Sequence, residues 1–297
     1  MISYTSIQEL IEKSTLEGKR LSAIILEDQA EVLGQSQTEL YRKMQERLGV
    51  MRESLGKGLS QINKSFSGMV GGDSQLLQEA MAKSKLLGGQ VLDGAILKAI
   101  AIAEVNAAMG RIVAAPTAGS CGILPGVLLT VAEKLNSSEE DLVNALFTAS
   151  GVGIVIAKNA GISGAAGGCQ AECGSASGMA AAAVVEMAGG TPEQCGHACA
   201  IALKNILGLV CDPVAGLVEV PCVKRNAAGA ANALVAIDLA LAGIKSVIPV
   251  DEVILAMYQI GQSMPVTLKE TALGGLAVTP TGCRLAKELE DRRNDTA

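Results

Sequence analysis

The side chains best suited to chemistry in this sequence are its cysteines, of which there are eight. Cys169 follows Gly167-Gly168, Cys211 precedes Asp212-Pro213 and Cys222 follows Pro221. Each of the three stands where glycine or proline interrupts regular backbone. Thiolates carried there can converge on a metal, and nearby peptide N–H groups can bond the sulfurs of a metal cluster. The spacing itself fits no common zinc or ferredoxin pattern. Cys173, Cys195 and Cys199 are different, because they fall on or beside Ala-rich helical segments. Cys195 and Cys199 lie four apart on one helix face, which core packing alone would produce. Cys121 and Cys283 follow glycine-containing turns and are open to two readings, a free thiol or a fourth ligand.

A second segment with chemical content is Ala115-Pro-Thr-Ala-Gly-Ser-Cys-Gly-Ile-Leu-Pro125. Gly119 and Gly122 permit tight turns and close approach of a ligand. Thr117 and Ser120 add hydroxyls, and a helix is predicted to start directly afterwards. Unpaired N–H groups at such a start favour an anion. The glycines equally suit close helix packing. The segment matches neither the P-loop nor the dinucleotide fingerprint. Another glycine run, residues 161–168, leads into Cys169 and can form a further nest of donors. The single histidine, His197, sits between Cys195 and Cys199 and reads as a packed or capping residue.

The elements that must carry these residues are predicted to be helices. Of the 297 residues, 49% are hydrophobic and only 18% charged, while aromatics are 2% and Trp is absent. Ala is the strongest helix former, and small side chains let helices approach closely. The expected fold class is therefore all-α, a single compact helical core with Gly/Pro-rich loops around a buried site. Capping signals at Ser6/Glu9 and Ser36/Glu39 open two helices, the first stopping near Gly18 and the second covering 38–59. Further helices are predicted over 74–87, 91–109, 123–135, 139–157, 175–187, 193–207, 227–241 and 251–261. A glycine-rich loop at 67–73 is the expected internal boundary between a more charged, helical N-terminal region, 1–70, packing on the core, and the core itself at 71–283. Residues 284–297 are expected to be a frayed, charged tail.

Net charge is −6, which gives nucleic acid no basic footprint to bind. Mean hydropathy is +0.37, but the longest uncharged run, 112–132, contains two prolines and reads as a loop entering a buried helix, so no membrane span is expected. The N-terminus has no basic start followed by an apolar stretch, and a cytoplasmic location is the expectation.

Three quoted segments together resemble one family. They are Pro116-Thr-Ala-Gly-Ser-Cys-Gly122, Ser163-Gly-Ala-Ala-Gly-Gly-Cys-Gln-Ala-Glu172, and Leu207-Gly-Leu-Val-Cys-Asp-Pro-Val-Ala-Gly216 continuing to Val220-Pro-Cys-Val-Lys-Arg-Asn226. The chain is similar to the alpha (catalytic) chain of iron–sulfur-dependent L-serine dehydratases over about residues 71–282. The resemblance implies a [4Fe–4S] cluster on Cys169, Cys211 and Cys222, L-serine as substrate, pyruvate and ammonia as products, and a separate beta chain completing a hetero-oligomer. With three cysteines on four irons, one iron stays open. The expected carboxylate site is Thr117, Gly119, Ser120 and Gly122, with Arg225 as a further partner. Single-chain relatives can bring a C-terminal cysteine to the cluster, but here fourteen residues follow Cys283. Glu172, Lys158 and Lys204 lie near the relevant segments, and the base is left unassigned. Two other readings remain, a hydro-lyase for another small hydroxy acid and a non-enzymatic zinc-binding module.

Overall fold

The computed structural model describes residues 4–295. Among them are thirteen α-helices and no β-strand, in agreement with the all-α expectation. In chain order they are α1 (Ile7–Glu17), α2 (Leu21–Leu33), α3 (Gln37–Ser60), α4 (Asp73–Ala82), α5 (Gly89–Ala107), α6 (Ile123–Leu135), α7 (Glu139–Asn159), the single turn α8 (Gly164–Gly167), α9 (Ser175–Met187), α10 (Pro192–Lys204), α11 (Cys222–Leu241), α12 (Val250–Ser263) and α13 (Pro280–Asp295).

Local signals explain most boundaries. Ser6 and Ser36 accept the N–H groups of Glu9 and Glu39, and Gly18 ends α1 in the left-handed conformation at φ 62°. Reciprocal capping boxes open α7 at Ser138/Asp141 and α10 at Thr191/Gln194. The centre is α9, whose residues from Ser175 to Glu186 are all buried. Helices α7, α10, α11 and α6 pack around it. Its sequence of Ala, Gly, Ser and Val keeps the axes close. At the start of α6 the approach is closer still, since a Cβ on Gly122 would lie 2.1 Å from the carbonyl oxygen of Ala99 in α5.

The N-terminal helices join the same core, with Ile7, Leu10, Ile24 and Ile25 all buried in it. Carboxylates from other helices fix their starts. Asp251 accepts from the N–H groups of Ile7 and Gln8 at 2.8 and 3.0 Å. Glu186 does so for Ser22 of α2, and the buried Glu104 for Asp73 and Ser74 of α4. Negative charge at a helix N-terminus is favourable, and here it also docks one element on another.

Three expectations are corrected. The helix expected over 74–87 stops at Ala82, and Ser84 beyond it has φ 50°. The helix expected from 227 starts at Cys222. Residues 280–295 are a capped helix rather than a frayed tail: Thr279 accepts the N–H of Gly282, Leu289 is buried, Arg292 donates to the carbonyl of Ser67 and Arg293 lies over the ring of Phe66. One helix among the described residues, α7, is long and apolar enough to cross a membrane, and 67% of that window is buried inside the fold.

Candidate functional site

Cys169 begins the site. The preceding Gly168 has φ 77°, and a Cβ there would lie 2.7 Å from Met264, so only glycine fits. After Cys169 the chain runs through a π-helix, Gln170–Gly174, before α9. Such wide turns are frequent at functional sites. This one sets the sulfurs of Cys169 and Cys173 3.5 Å apart. Gln170 ties the turn to the next cysteine segment: its Nε2 donates to the carbonyls of Gly167 and Met257, its Oε1 accepts from Gly208, and its own N–H donates to Leu209.

Two residues beyond Leu209, Cys211 is held by backbone bonds to a later strap. Its N–H donates to the carbonyl of Leu268 at 2.8 Å and its carbonyl accepts from Glu270 at 2.7 Å. Asp212 accepts from Arg225 Nη2 and from the N–H of Leu276, both at 2.8 Å. Arg225 Nη1 donates to the carbonyl of Val210 at 2.8 Å. Cys222, 9% exposed, is the first residue of α11. Cys169, Cys173 and Cys211 share one buried cluster with Ile123 and Ala176.

Electrostatics concentrates one negative charge here. Hydrogen bonds from the thiols of Cys173 and Cys211, helped by the Arg225 guanidinium, hold Cys169 well below the usual thiol range. Cys173 and Cys211 are pushed up in return. Burial and the nearby Cys169 charge push Cys222 up to about 12. Glu172 faces the same space. A Cβ on Gly119 would sit 3.3 Å from its Oε1, and one on Gly164 would sit 2.7 Å from its Oε2 and 3.0 Å from Cys211 Sγ. Burial pushes the Glu172 carboxyl up to about 7, against the pull of the Thr117 hydroxyl.

The structure thus brings Cys169 and Cys211 into contact, with Cys222 in the same field. Among the described residues, no three His, Cys, Asp or Glu side chains stand in a ready arrangement for a metal ion. The donor set itself suits a soft metal: buried thiols beside Gly164, whose missing side chain leaves space at the sulfurs. In the 117–122 loop, the Thr117 and Ser120 hydroxyls are 3.0 Å apart and Ser120 is fully buried. The N–H of Gly122 is already bonded to Asn226, and that of Ile123 to Ser120. Hydrogen bonds from the N–H groups of Ala118, Gly119 and Ser120 are absent among the described residues. Arg225 forms a buried pair with Asp212, their side chains 14% and 5% exposed, rather than a surface salt bridge.

Sequence reasoning assigned Cys173 to core packing and gave Asp212 and Asn226 no role. The four-residue step from Cys169 to Cys173 was the one available signal. Cys195 and Cys199 are buried in α10, and Cys121 is buried, while Cys283 is exposed on α13. His197 accepts the N–H of Ser246, a packing role. Lys204 donates to the carbonyl of Ser246.

Fold and site together define an all-helical protein with a buried nest of thiols beside a glycine-rich loop and an acid. Comparison with known proteins places this class. Residues 16–277 match the family model described as serine dehydratase alpha chain, and the chain belongs to that family. It is 55% identical over 286 residues to the probable L-serine dehydratase alpha chain of Bacillus subtilis, covering 96% of this chain and 95% of that one. It is 45% identical over 282 residues to the L-serine dehydratase alpha chain of Peptoniphilus asaccharolyticus, covering 95% and 97%. L-serine dehydratase 2 of Escherichia coli is 36% identical over 291 residues, which are 94% of this chain but 62% of that protein.

Proposed function

We propose that this chain is the catalytic alpha chain of a cytoplasmic L-serine dehydratase, which forms pyruvate and ammonia from L-serine together with a beta chain. The observation that carries the reading is the meeting of four segments distant in sequence, 117–120, 164–173, 211–212 and 222–226, around the half-buried Glu172 carboxyl and the Cys169 sulfur. Cys169, Cys211 and Cys222 are the residues that would hold a [4Fe–4S] cluster. When bound, such a cluster supplies a Lewis acid that draws electron density from the serine hydroxyl.

The chain's own groups do the rest. The peptide N–H groups of Ala118, Gly119 and Ser120 and the hydroxyl of Thr117 bind the substrate carboxylate. Glu172, across from Gly119, takes the Cα proton on a carboxylate oxygen. A carboxyl whose ordinary range has been raised by burial is a stronger base at neutral pH than a solvated one. Loss of that proton and of the Cβ hydroxyl leaves aminoacrylate and water. Its imine tautomer then takes up water and releases ammonia, so one serine yields one pyruvate and one ammonia. Arg225 stays with the protein, countering charge on Cys169 and holding Asp212.

Cys173 gives a second reading its footing, since a fourth thiol beside Cys169 could close a tetrahedral zinc site. Anaerobic purification with the beta chain separates the two. The proposed enzyme is brown, carries about four irons and four sulfides per alpha chain and makes pyruvate from serine. Changing Cys169, Cys211 or Cys222 to Ser removes both iron and activity, whereas Cys195→Ser keeps them. A colourless, zinc-containing protein without turnover overturns the proposal.

A further inference from the structure

Asn226 begins the second turn of α11, four residues after Cys222, and is 1% exposed. Its side chain makes three hydrogen bonds. Nδ2 donates to the carbonyl of Gly119 at 2.8 Å and to that of Cys222 at 2.9 Å. Oδ1 accepts the N–H of Gly122 at 2.9 Å. Both donors are used, and the carbonyl oxygen faces an N–H. The reversed amide would set NH₂ against N–H and oxygen against two carbonyls, so these partners fix its orientation. No other side chain of this size offers two donors and an acceptor in one plane. Asp keeps the acceptor and loses both donors, and Leu loses all three.

The partners make this more than a packing contact. Gly119, in the middle of the 117–122 loop, and Gly122, at its end, are both more than a hundred residues from Asn226 in sequence. Cys222 is one of the three thiols. On its other side the loop is pressed against α5 at Ala99, and the next residue, Ile123, packs among Cys169, Cys173 and Cys211. A loop gripped at two points has one position relative to Cys222. The N–H groups of Ala118, Gly119 and Ser120, at the first of these grips, donate no hydrogen bond among the described residues.

We infer that Asn226 is a positioning residue: it sets the 118–120 donors at a fixed distance from the Cys222 end of the site, so that the substrate's carboxylate and hydroxyl are held at once. This rests on the serine dehydratase reading above. Asn226 touches neither substrate nor metal in this role. Its effect belongs in binding and alignment, and geometry of this kind contributes steeply to rate.

The test uses the complete enzyme with its beta chain, purified anaerobically, and the variants Asn226→Asp and Asn226→Ala. The expected result is wild-type iron and sulfide content, KM for L-serine raised at least tenfold and kcat reduced by a smaller factor. A second readout needs no activity. In hydrogen exchange the Gly122 amide of the wild type is protected and those of Ala118 and Gly119 exchange fast, while in both variants Gly122 joins the fast group. Unchanged KM in a folded variant, or activity lost only in proportion to iron, overturns the inference. So does an unprotected Gly122 amide in the wild type, a result that stands even if neither variant folds. If the wild-type enzyme turns over no serine, the functional reading fails, and the exchange pattern still decides whether the clamp exists.

Discussion

Glu172 and Arg225 carry opposite charges into the same buried space, and their surroundings give them different work. Arg225 is engaged by Val210, Asp212 and the Cys169 sulfur, so its charge is already paired within the fold. Removing one member of such a pair leaves a charge without a partner, at a cost of about 3–5 kcal/mol. Arg225→Met should therefore lower stability by that order in a urea titration, with Arg225→Lys in between because it keeps charge but not the two-pronged fit. Glu172 has only the Thr117 hydroxyl against its burial. Glu172→Gln keeps shape and removes the proton acceptor. Its kcat should fall about 10²–10⁴-fold while iron content and melting temperature stay at wild-type values; a variant with near-normal kcat would remove Glu172 from the chemistry. The sequence singles out Cys169, Cys211 and Cys222 because glycine or proline flanks each. It does not single out Cys173, because its four-residue step from Cys169 in an Ala-rich stretch looks the same as the step from Cys195 to Cys199, which is pure core.

Helix starts show where sequence reading stops at the level of elements. Ser36 and Thr191 announce α3 and α10, since cap and helix are neighbours in the chain. The start of α2 carries no local signal, because the N-cap Arg20 makes no capping bond and Glu186, distant in sequence, supplies the charge. The π-turn before α9 is equally silent in composition. It depends on Gln170 reaching Gly167, Met257 and Gly208 at once. Contacts between elements also set the tolerance to change. A methyl on Gly122 meets the Ala99 carbonyl, so Gly122→Ala forces α5 and α6 apart. Overpacking of this kind costs about 1–3 kcal/mol, a fall of several degrees in melting temperature, and iron content should drop with it because Ile123 moves. A pH effect belongs to the junction of α10 with the 243–249 loop. Burial lowers the pKa of His197 below its ordinary 6.5. The unfolded chain then binds the proton more readily than the folded one, so this residue's contribution is intact above pH 6.5 and is lost as pH falls below that value. Comparing urea midpoints at pH 7.5 and 5.5 for wild type and His197→Gln should show a smaller acid-side loss in the variant.

At the scale of the whole molecule, the helices before the 67–73 loop and those after it share one core. Tyr4, Ile24 and Leu48 share one buried cluster with α7, α9, α10 and α12, and Tyr41 stacks on Phe147 with ring centroids 6.4 Å apart. Capping by Asp251 and Glu186 reaches from the core back to α1 and α2, and Glu219 accepts from Ser67 in the 67–73 loop. Patterning reveals that a loop is there, but not that its hydroxyls are tied to a carboxylate three residues before Cys222. An N-terminal region held this way has no free energy minimum of its own to occupy while the rest is folded, and cooperative loss of structure follows. The chain lacks Trp, and its three tyrosines are Tyr4, Tyr41 and Tyr258. In Tyr258→Phe the remaining fluorescence reports the N-terminal 70 residues alone, while far-UV circular dichroism is dominated by the helices of the core. The two signals should trace the same urea transition, with one midpoint and one slope. Tyrosine emission changing at lower urea than the helical signal would mean that residues 1–70 unfold first, and the carboxylate caps would then be surface contacts rather than part of the core.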